Sequence, residues 1–287
     1  MSIFLRFARV HTLVGTTLSL TALFLMAAQV NGNYNWEVLV LGLTACLAAN
    51  VYITGLNQLT DVEIDRINKP YLPIPNGDYT MGQARAIVFS GLGLALVGGL
   101  IGGRFLILTI VISILIGTAY SVPPIRLKRY PFWAAFCILA VRGLVVNLLL
   151  YLHFDLSLNG KSRLPAEVQI LTIIIFGYSL LIAWFKDLPD TEGDEAFGVR
   201  TLSISWGRRQ VWLIGSWLFG LGLLAAAAYL LFVLKNDAVG YGQLALLAIY
   251  QLMAKQVDLD QQKSIAQFYQ GFWGLFFAEY ILFGLFG

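Results

Sequence analysis

Long apolar segments recur along the whole chain and leave little choice of fold. Nine can be counted, with approximate bounds at residues 10–30, 36–56, 83–101, 105–120, 132–152, 167–185, 210–234, 238–254 and 267–286. About 20 apolar residues are enough for a helix to cross the hydrocarbon core of a bilayer. In lipid, an isolated segment satisfies its own backbone hydrogen bonds only as a helix. The sequence therefore predicts an all-α, multispanning membrane bundle of nine transmembrane helices around a central cavity, in a single domain over residues 1–287.

Composition also favours a membrane protein over a soluble one. Hydrophobic residues make up 58% of the chain and charged residues 12%, whereas soluble domains carry roughly 25% charged residues. The net charge of +3 is small and dispersed, so the sequence does not predict a nucleic-acid partner. Cys46 and Cys137 both lie in apolar segments, which predicts two buried free thiols that act as small hydrophobic side chains.

The loops differ in their content of basic residues. With nine crossings, the N-terminus and the loops after the second, fourth, sixth and eighth helices share one side of the membrane. That side contains 14 of the 19 Lys and Arg residues. Because basic residues concentrate in cytoplasmic loops, we expect the N-terminus and these loops to face the cytoplasm or an equivalent compartment.

A polar stretch at residues 57–70 follows the second apolar segment. On a helix, side chains four residues apart lie on one face, so the spacing predicts that Asn57, Asp61 and Asp65 point the same way. An amide and two carboxylates are hard oxygen ligands, which suit Mg²⁺ better than zinc.

A second acidic stretch follows the sixth apolar segment, at residues 186–194. Asp187, Asp190 and Asp194 have helical spacing and are again predicted to share one face. Two acidic clusters that face each other repel unless cations lie between them. The pair therefore favours a site for Mg²⁺ and a diphosphate at the membrane surface, and the alternative interpretation is two solvated polar loops.

Basic side chains accompany both acidic stretches. The cations that could hold a leaving diphosphate are Arg66, Lys69, Lys186 and Arg200. A third loop on the same side, residues 120–129, adds the phenol of Tyr120, the hydroxyl of Ser121 and the cations Arg126, Lys128 and Arg129. For this loop, an anchor that follows the positive-inside rule is an equally good interpretation.

Arg142 lies within the fifth apolar segment. A cation at that depth is expensive in lipid and is expected to face a cavity or a partner. Two hypotheses stand: Arg142 binds a carboxylate on an acceptor substrate, or it has a structural role.

Several motifs together resemble the UbiA superfamily of intramembrane aromatic prenyltransferases, in particular its homogentisate branch. The matching stretches are NQLTDVEIDRINKPYLP from Asn57, YSVPPIRLKR from Tyr120, VRGLVVN from Val141, KDLPDTEGD from Lys186 and FYQGFWGLFFAEY from Phe268. They are spread from residue 57 to residue 280, and RFARVHTLVGT near the start also fits, so the resemblance extends along nearly the whole chain. Ile74-Pro75-Asn76-Gly77 is more like chlorophyll synthases, whereas Gln58 and the run from Asp61 to Asp65 favour the homogentisate branch.

The resemblance implies Mg²⁺ as cofactor and a role for each matching residue. It implies metal-associated roles for Asn57, Asp61, Asp65, Asp190 and Asp194, with Asp187 adjacent. It implies that Arg66, Lys69, Tyr120, Ser121, Lys128 and Lys186 hold the prenyl diphosphate or help it to ionise. The four aspartates at 61, 65, 190 and 194, together with Tyr120, are then the catalytic candidates, and Arg142 is a candidate for substrate binding.

The reaction implied for the homogentisate branch is prenyl transfer with loss of CO₂. With phytyl diphosphate the product is a methyl phytyl benzoquinol, a precursor of tocopherol, in a cyanobacterial plasma or thylakoid membrane or the plastid equivalent. Other prenyl donors (geranylgeranyl or solanesyl diphosphate) and other acceptors (a chlorophyllide or a naphthoate) remain open. A cation transporter is the alternative from another class, although transporters place ionisable groups near the bilayer midplane rather than at helix ends.

Overall fold

Helices account for all the regular structure in the residues described. The computed structural model describes residues 2–186, residue 188 and residues 201–287. The α-helices, in chain order, are α1 Ile3–Phe7, α2 Val10–Gln29, α3 Trp36–Thr60, α4 Val62–Asn68, α5 Met81–Ile101, α6 Arg104–Ser121, α7 Pro131–Ile138, α8 Val146–Asn159, α9 Ala166–Phe185, α10 Leu202–Trp206, α11 Arg208–Tyr229, α12 Asp237–Lys255 and α13 Gln262–Phe286. A 3₁₀ turn covers Leu127–Arg129, and π-helical segments cover Leu139–Val145 and Leu230–Leu234.

Seven helices in the described part of the chain are long and apolar enough to cross a membrane. They are Val10–Gln29, Trp36–Thr60, Met81–Ile101, Arg104–Ser121, Pro131–Asn159, Ala166–Phe185 and Arg208–Leu234. These match seven of the nine predicted segments, so the all-helical membrane fold is confirmed. The other two segments form α12 and α13, which are long enough but less apolar, and the count of nine crossings stays a prediction.

One spanning helix is longer than its apolar segment. The segment at 132–152 belongs to a continuous helix that ends at Asn159. The extra turns contain His153 and Asp155, which are both buried. Asp155 accepts hydrogen bonds from the side chain of Asn159 and the backbone N–H of Arg163, at 3.0 and 2.9 Å. Asp155 is therefore compatible with a helix here because other groups of the protein satisfy its carboxylate.

The chain folds as two compact units. The first consists of Met1–Arg129 and Leu148–Arg163, and the second of Tyr130–Asn147 and Leu164–Gly287. The prediction of a single domain stays a prediction. Cys46 in the first unit and Cys137 in the second are buried free thiols, as predicted.

The first unit is built on a close crossing of α3 and α5. Cβ atoms added at Gly91 and Gly98 would lie 3.0 Å from the Ala48 carbonyl oxygen and 2.9 Å from the Ala45 Cβ. Without side chains at these two positions, the helix backbones approach closely, as is common for small residues in membrane helices. Helix α3, which leads to the first acidic stretch, is thereby held firmly along its length.

The second unit has an aromatic core. Rings from α9, α11, α12 and α13 contact one another with centroids 4.6 to 6.0 Å apart, in mostly tilted or edge-to-face pairs. The rings are Tyr178, Trp212, Phe219, Tyr250, Phe268 and Phe272. Such geometry places the positive ring edge against the negative ring face. Large flat side chains therefore fix the spacing of these four helices.

Gly98 offers a test of the α3–α5 crossing. We expect Gly98→Val to lower the free energy of unfolding by about 1–3 kcal/mol, because the added carbons must displace backbone-proximal atoms of Ala45. Reversible unfolding in mixed micelles measures this. The control is Gly93→Val on the same helix, where an added Cβ has no atom within 4 Å. Equal losses for the two variants would contradict the close crossing.

Candidate active site

The first acidic stretch begins where α3 ends. Asp61 has φ −116° and ψ 14°, which stops α3 at Thr60. Helical bonding resumes at once, since the backbone N–H groups of Asp65 and Lys69 donate to the carbonyls of Asp61 and Asp65, both at 2.8 Å. The helix breaks at Asp61, between α3 and α4, and the prediction that Asn57, Asp61 and Asp65 point the same way stays a prediction. Asp61 and Asp65 nevertheless remain one helical turn apart.

Asp61 is held by two cations from the loop after α6. Arg126 donates from Nη2 to Asp61 Oδ1 at 2.7 Å, and Lys128 donates from Nζ to Asp61 Oδ2. All three side chains are only 13–14% exposed. Since charge-assisted hydrogen bonds are stronger when water is excluded, this triad joins the first acidic stretch to the basic loop.

The basic loop reaches Asp61 through an unusual backbone conformation. Arg126 has φ +38°, in the left-handed region that non-glycine residues seldom adopt. Its N–H donates to the Val122 carbonyl at 2.9 Å, and the 3₁₀ turn Leu127–Arg129 follows directly. This local turn brings Arg126 and Lys128 to the same carboxylate. Residues held in such strained conformations cluster at functional sites.

Asp65 is a buried carboxyl in the same unit. It is 4% exposed, and its Oδ2 has no hydrogen-bond partner among the residues described. Burial raises the pKa of Asp65 above its ordinary value, while the charges of Lys69 and Arg9 oppose this effect. Burial likewise lowers the pKa of Lys128, opposed by its hydrogen bond to Asp61. Asp65 therefore offers a buried carboxylate oxygen that no described residue hydrogen-bonds.

The remaining polar residues of the first motif are tied to neighbouring helices. Asn57 donates from Nδ2 to the hydroxyl of Ser121 at 3.4 Å, and Ser121 is fully buried. Gln58 donates to the Phe7 carbonyl at 2.6 Å, which fixes the N-terminal helix α1 to the motif. Tyr120, next to Ser121, is half-buried. The end of α3, the end of α6 and the N-terminal segment therefore converge on this acidic region.

Two predicted cations of the first motif differ in their surroundings. Arg66 is exposed and pairs with Glu63, one turn before it, at 2.9 Å. Lys69 is half-buried, follows the end of α4, and its charge opposes the burial-driven rise in the pKa of Asp65. Lys69 is therefore positioned to act on the buried carboxyl, whereas Arg66 faces solvent.

The second acidic stretch lies mostly outside the described residues. Lys186 follows the last turn of α9 and donates its backbone N–H to the Ile182 carbonyl at 3.2 Å. Asp187, Asp190 and Asp194, with Arg200, are outside the described ranges. Within those ranges, no three carboxylate, imidazole or thiol side chains come together as a metal site.

The first motif fits a hard divalent cation as one half of a site. Asp65 supplies a buried, unpartnered oxygen. The Asp61 carboxylate has about four lone-pair positions, of which Arg126 and Lys128 use two. Oxygen donors of this kind suit Mg²⁺, which commonly takes only one or two protein carboxylates along with substrate phosphates.

In the second unit, Arg142 lies on a π-helical turn. Its guanidinium carbon is 4.7 Å from the ring centre of Trp273 and 5.7 Å from that of Phe276, both on α13. The Asn147 side chain donates to the carbonyls of Arg142 and Gly143 at 3.0 and 2.9 Å, and it accepts from the Tyr280 hydroxyl at 2.8 Å. The structure thus gives Arg142 aromatic neighbours and a fixed backbone.

The same unit contains a buried carboxyl. Glu279 on α13 is fully buried and accepts a hydrogen bond from the Gln243 side chain on α12. The Tyr178 hydroxyl lies beside the same carboxyl. A buried carboxyl is costly unless it is paired, so the Gln243–Glu279 pair inside an aromatic core is a second unusual feature of this unit.

Sequence reasoning missed the individual roles of Arg126, Asn147, Tyr280 and Glu279. Arg126 was grouped with the other cations of its loop, since nothing in the sequence indicates its left-handed backbone. Asn147 and Glu279 could have been found from the sequence, because each is an isolated polar residue inside an apolar segment. Tyr280 carries no such signal, because tyrosines are common in membrane helices.

The ion triad yields a double-mutant prediction. For Asp61→Asn and Arg126→Gln, we expect a coupling energy of about 1–3 kcal/mol in the free energy of unfolding, since the pair is charge-assisted and largely buried. The exposed pair Glu63→Gln and Arg66→Gln is the matched control, with an expected coupling below about 1 kcal/mol. Unfolding of the single and double variants in mixed micelles measures both cycles. Equal couplings would show that the triad is no stronger than a surface ion pair.

Comparisons with known proteins agree along nearly the whole chain. The homogentisate phytyltransferase of Synechocystis sp. is 44% identical to it, over 98% of this chain and 94% of that protein. Homogentisate phytyltransferase 1, a chloroplastic protein of Arabidopsis thaliana, is 37% identical, over 97% of this chain and 74% of that protein.

A solved structure shares the fold. The UbiA homologue of Archaeoglobus fulgidus, determined with GPP and Mg²⁺ bound, superposes with a TM-score of 0.69 at 19% identity, and covers 98% of this chain and 99% of that chain. The model of the UbiA prenyltransferase family matches residues 18–278. The chain is a member of the UbiA prenyltransferase family, an all-helical integral membrane enzyme.

Proposed function

We propose that this enzyme transfers a phytyl group from phytyl diphosphate to homogentisate, with loss of CO₂, in a Mg²⁺-dependent reaction of tocopherol biosynthesis. The observation that carries the proposal is the 44% identity to a homogentisate phytyltransferase over almost the full length of both chains. The oxygen donors and cations collected around Asp61 and Asp65 supply the chemistry that such a reaction needs.

The proposed reaction balances without any further reactant. The C–O bond between the allylic carbon and the diphosphate breaks, and its electron pair leaves with the diphosphate. A ring carbon of homogentisate attacks the allylic cation. The bond to the carboxyl group then breaks, CO₂ departs, and the side-chain carbon takes up the proton that the substituted ring carbon loses. The products are a methyl phytyl benzoquinol, CO₂ and diphosphate.

The residues of the two acidic motifs and their cations serve the departure of diphosphate. Asn57, Asp61 and Asp65 would hold Mg²⁺, and the motif aspartates Asp187, Asp190 and Asp194 would do so as well. Bound Mg²⁺ neutralises the charge that builds on the leaving diphosphate. Lys69, Lys128 and Lys186, with the exposed Arg66, then supply positive charge for the phosphate oxygens.

The hydroxyl groups of Tyr120 and Ser121 orient the prenyl diphosphate. Ser121 and Tyr120 end the α6 helix beside the acidic motif, and Ser121 already accepts from Asn57. Hydroxyl donors at that place bind phosphate oxygens and orient the donor for ionisation. On the charge distribution of the loops, the motifs and the N-terminus face the cytoplasmic side.

Mg²⁺ dependence tests the carboxylate roles. In membranes that carry the protein, we expect Asp61→Asn and Asp190→Asn each to lower prenyl transfer by about a hundredfold or more, because each removes a metal-binding charge. Glu37→Gln is the control, since Glu37 is an exposed carboxylate at the opposite end of α3. Near-normal turnover of either aspartate variant at saturating Mg²⁺ would contradict the assignment.

The identities of donor and acceptor are tested separately. Radiolabelled homogentisate is offered with phytyl, geranylgeranyl or solanesyl diphosphate, with Mg²⁺ and with chelator. We expect Mg²⁺-dependent product, and the fastest turnover with phytyl diphosphate. Product from a chlorophyllide or a naphthoate, in the absence of any from homogentisate, would overturn the proposed acceptor.

A further inference from the structure

We propose that Arg142 forms a carboxylate-binding site for a small aromatic acid, and that Asn147 and Tyr280 position it. This rests on the proposed function in one respect: it identifies the aromatic acid with the acceptor substrate. The site is built entirely from the second unit, on residues 131–147 of the helix Pro131–Asn159 and on α13.

Arg142 lies deep within a helix that is long and apolar enough to span the membrane. It lies eleven residues after Pro131, the first residue of a spanning helix of 29 residues. At about 1.5 Å per residue this is roughly 16 Å along the helix, near its middle. A cation at that depth is costly unless it has an anionic or polar partner.

The protein surrounds the Arg142 guanidinium with aromatic rings. Trp273 and Phe276 offer ring faces, which attract the charge. A guanidinium, however, also has five N–H donors. No described residue makes a hydrogen bond or an ion pair with them, and the buried carboxyl Glu279 is engaged with Gln243 instead. The charge is partly stabilised while the donor edge remains available.

The groups around Arg142 fit a particular class of ligand. A planar guanidinium fork matches the two oxygens of a carboxylate. The flanking Trp273 and Phe276 rings are suited to stacking against an aromatic ring. A small aromatic acid satisfies both features at once, and homogentisate is such an acid.

Hydrogen bonds from Asn147 and Tyr280 fix the backbone at Arg142. In the π-helical turn Leu139–Val145, backbone bonds span five residues, so a carbonyl loses its usual partner. The Asn147 amide donates to the carbonyls of Arg142 and Gly143. The Tyr280 hydroxyl in turn fixes the Asn147 oxygen at 2.8 Å. Through this chain of bonds, α13 sets the backbone position of Arg142 and also supplies the two rings over which it lies.

Gly143 closes the packing on the other side. An added Cβ there would lie 3.0 Å from Phe176 Cδ2 and 3.3 Å from Phe176 Cα, so the π turn sits directly against α9. The turn is therefore confined between α9 and the Asn147–Tyr280 bond. This rigidity is what a binding residue needs, because a misplaced donor loses most of its effect.

Equilibrium displacement of radiolabelled homogentisate from the purified protein tests the carboxylate site without turnover. The competitors are homogentisate and its neutral amide, 2,5-dihydroxyphenylacetamide. We expect the wild type to prefer the carboxylate by about ten- to a hundredfold, as for a hydrogen-bonded charge. Arg142→Ala should bring the ratio close to one, and Arg142→Lys should restore it in part. An unchanged ratio in Arg142→Ala overturns the site.

The positioning residues are tested with a matched pair of variants. Tyr280→Phe and Tyr250→Phe each delete one buried hydroxyl that donates at 2.8 Å, the first to Asn147 and the second to Ser216. We expect Tyr280→Phe to raise the KM for homogentisate about three- to tenfold, with kcat and the KM for the donor within about twofold of wild type. Tyr250→Phe should leave all three unchanged. Equal effects of the two variants, at equal melting temperatures, overturn the positioning role.

Failure of the function and failure of the site are distinguishable. Suppose that the wild type makes no product from homogentisate, and that the Arg142→Ala variant no longer prefers the carboxylate. The site then stands and the proposed acceptor falls. If the wild type makes product and Arg142→Ala keeps both the preference and the KM, the acceptor stands and the site falls. A loss of prenyl diphosphate binding in Arg142→Ala, with homogentisate binding intact, would assign Arg142 to the donor instead.

Discussion

Charge is costly in an apolar medium, and the first unit offsets that cost by pairing its most interconnected carboxylate with two cations. Asp61 is the central case, since one carboxylate is shared between Arg126 and Lys128 at the end of α3. Burial strengthens these bonds and makes each of the three side chains depend on the other two. The first acidic motif therefore exists in this form only because a loop more than sixty residues later returns to it.

Irregular backbone marks the places where the two units carry polar chemistry. Asp61 interrupts a helix, Arg126 adopts a left-handed conformation, and Arg142 lies on a π turn. Each departure costs free energy, and each is supported by side-chain hydrogen bonds from another element. The regular parts of the same helices, by contrast, are held by glycine contacts and aromatic packing. Close packing of the regular helix segments thus holds these irregular backbone positions in place.

Much of this could be predicted from the sequence, because the bilayer restricts the choice of structure so strongly. Apolar length alone gave the helices, and Val10–Gln29 and Ala166–Phe185 match their segments almost to the residue. Spacing alone did not show the break at Asp61, since residues four apart look the same whether or not a helix is interrupted. The link between Tyr280 and Asn147 joins residues 133 positions apart, and only the packing of two helices brings them together. The arrangement of the second acidic motif stays a prediction.

The hydrogen bond between Gln243 and Glu279 bears on how the chain enters a membrane. Helices α12 and α13 are the two whose composition is least suited to crossing a bilayer alone, and each contributes one partner of this bond. Inserted separately, α13 would expose a carboxyl to hydrocarbon, and α12 an amide. Inserted as a hairpin, the two conceal these groups from lipid. If α12 and α13 both cross the bilayer, as the sequence predicts, the polar pair couples their insertion, so that the C-terminal end enters the membrane in a two-helix step.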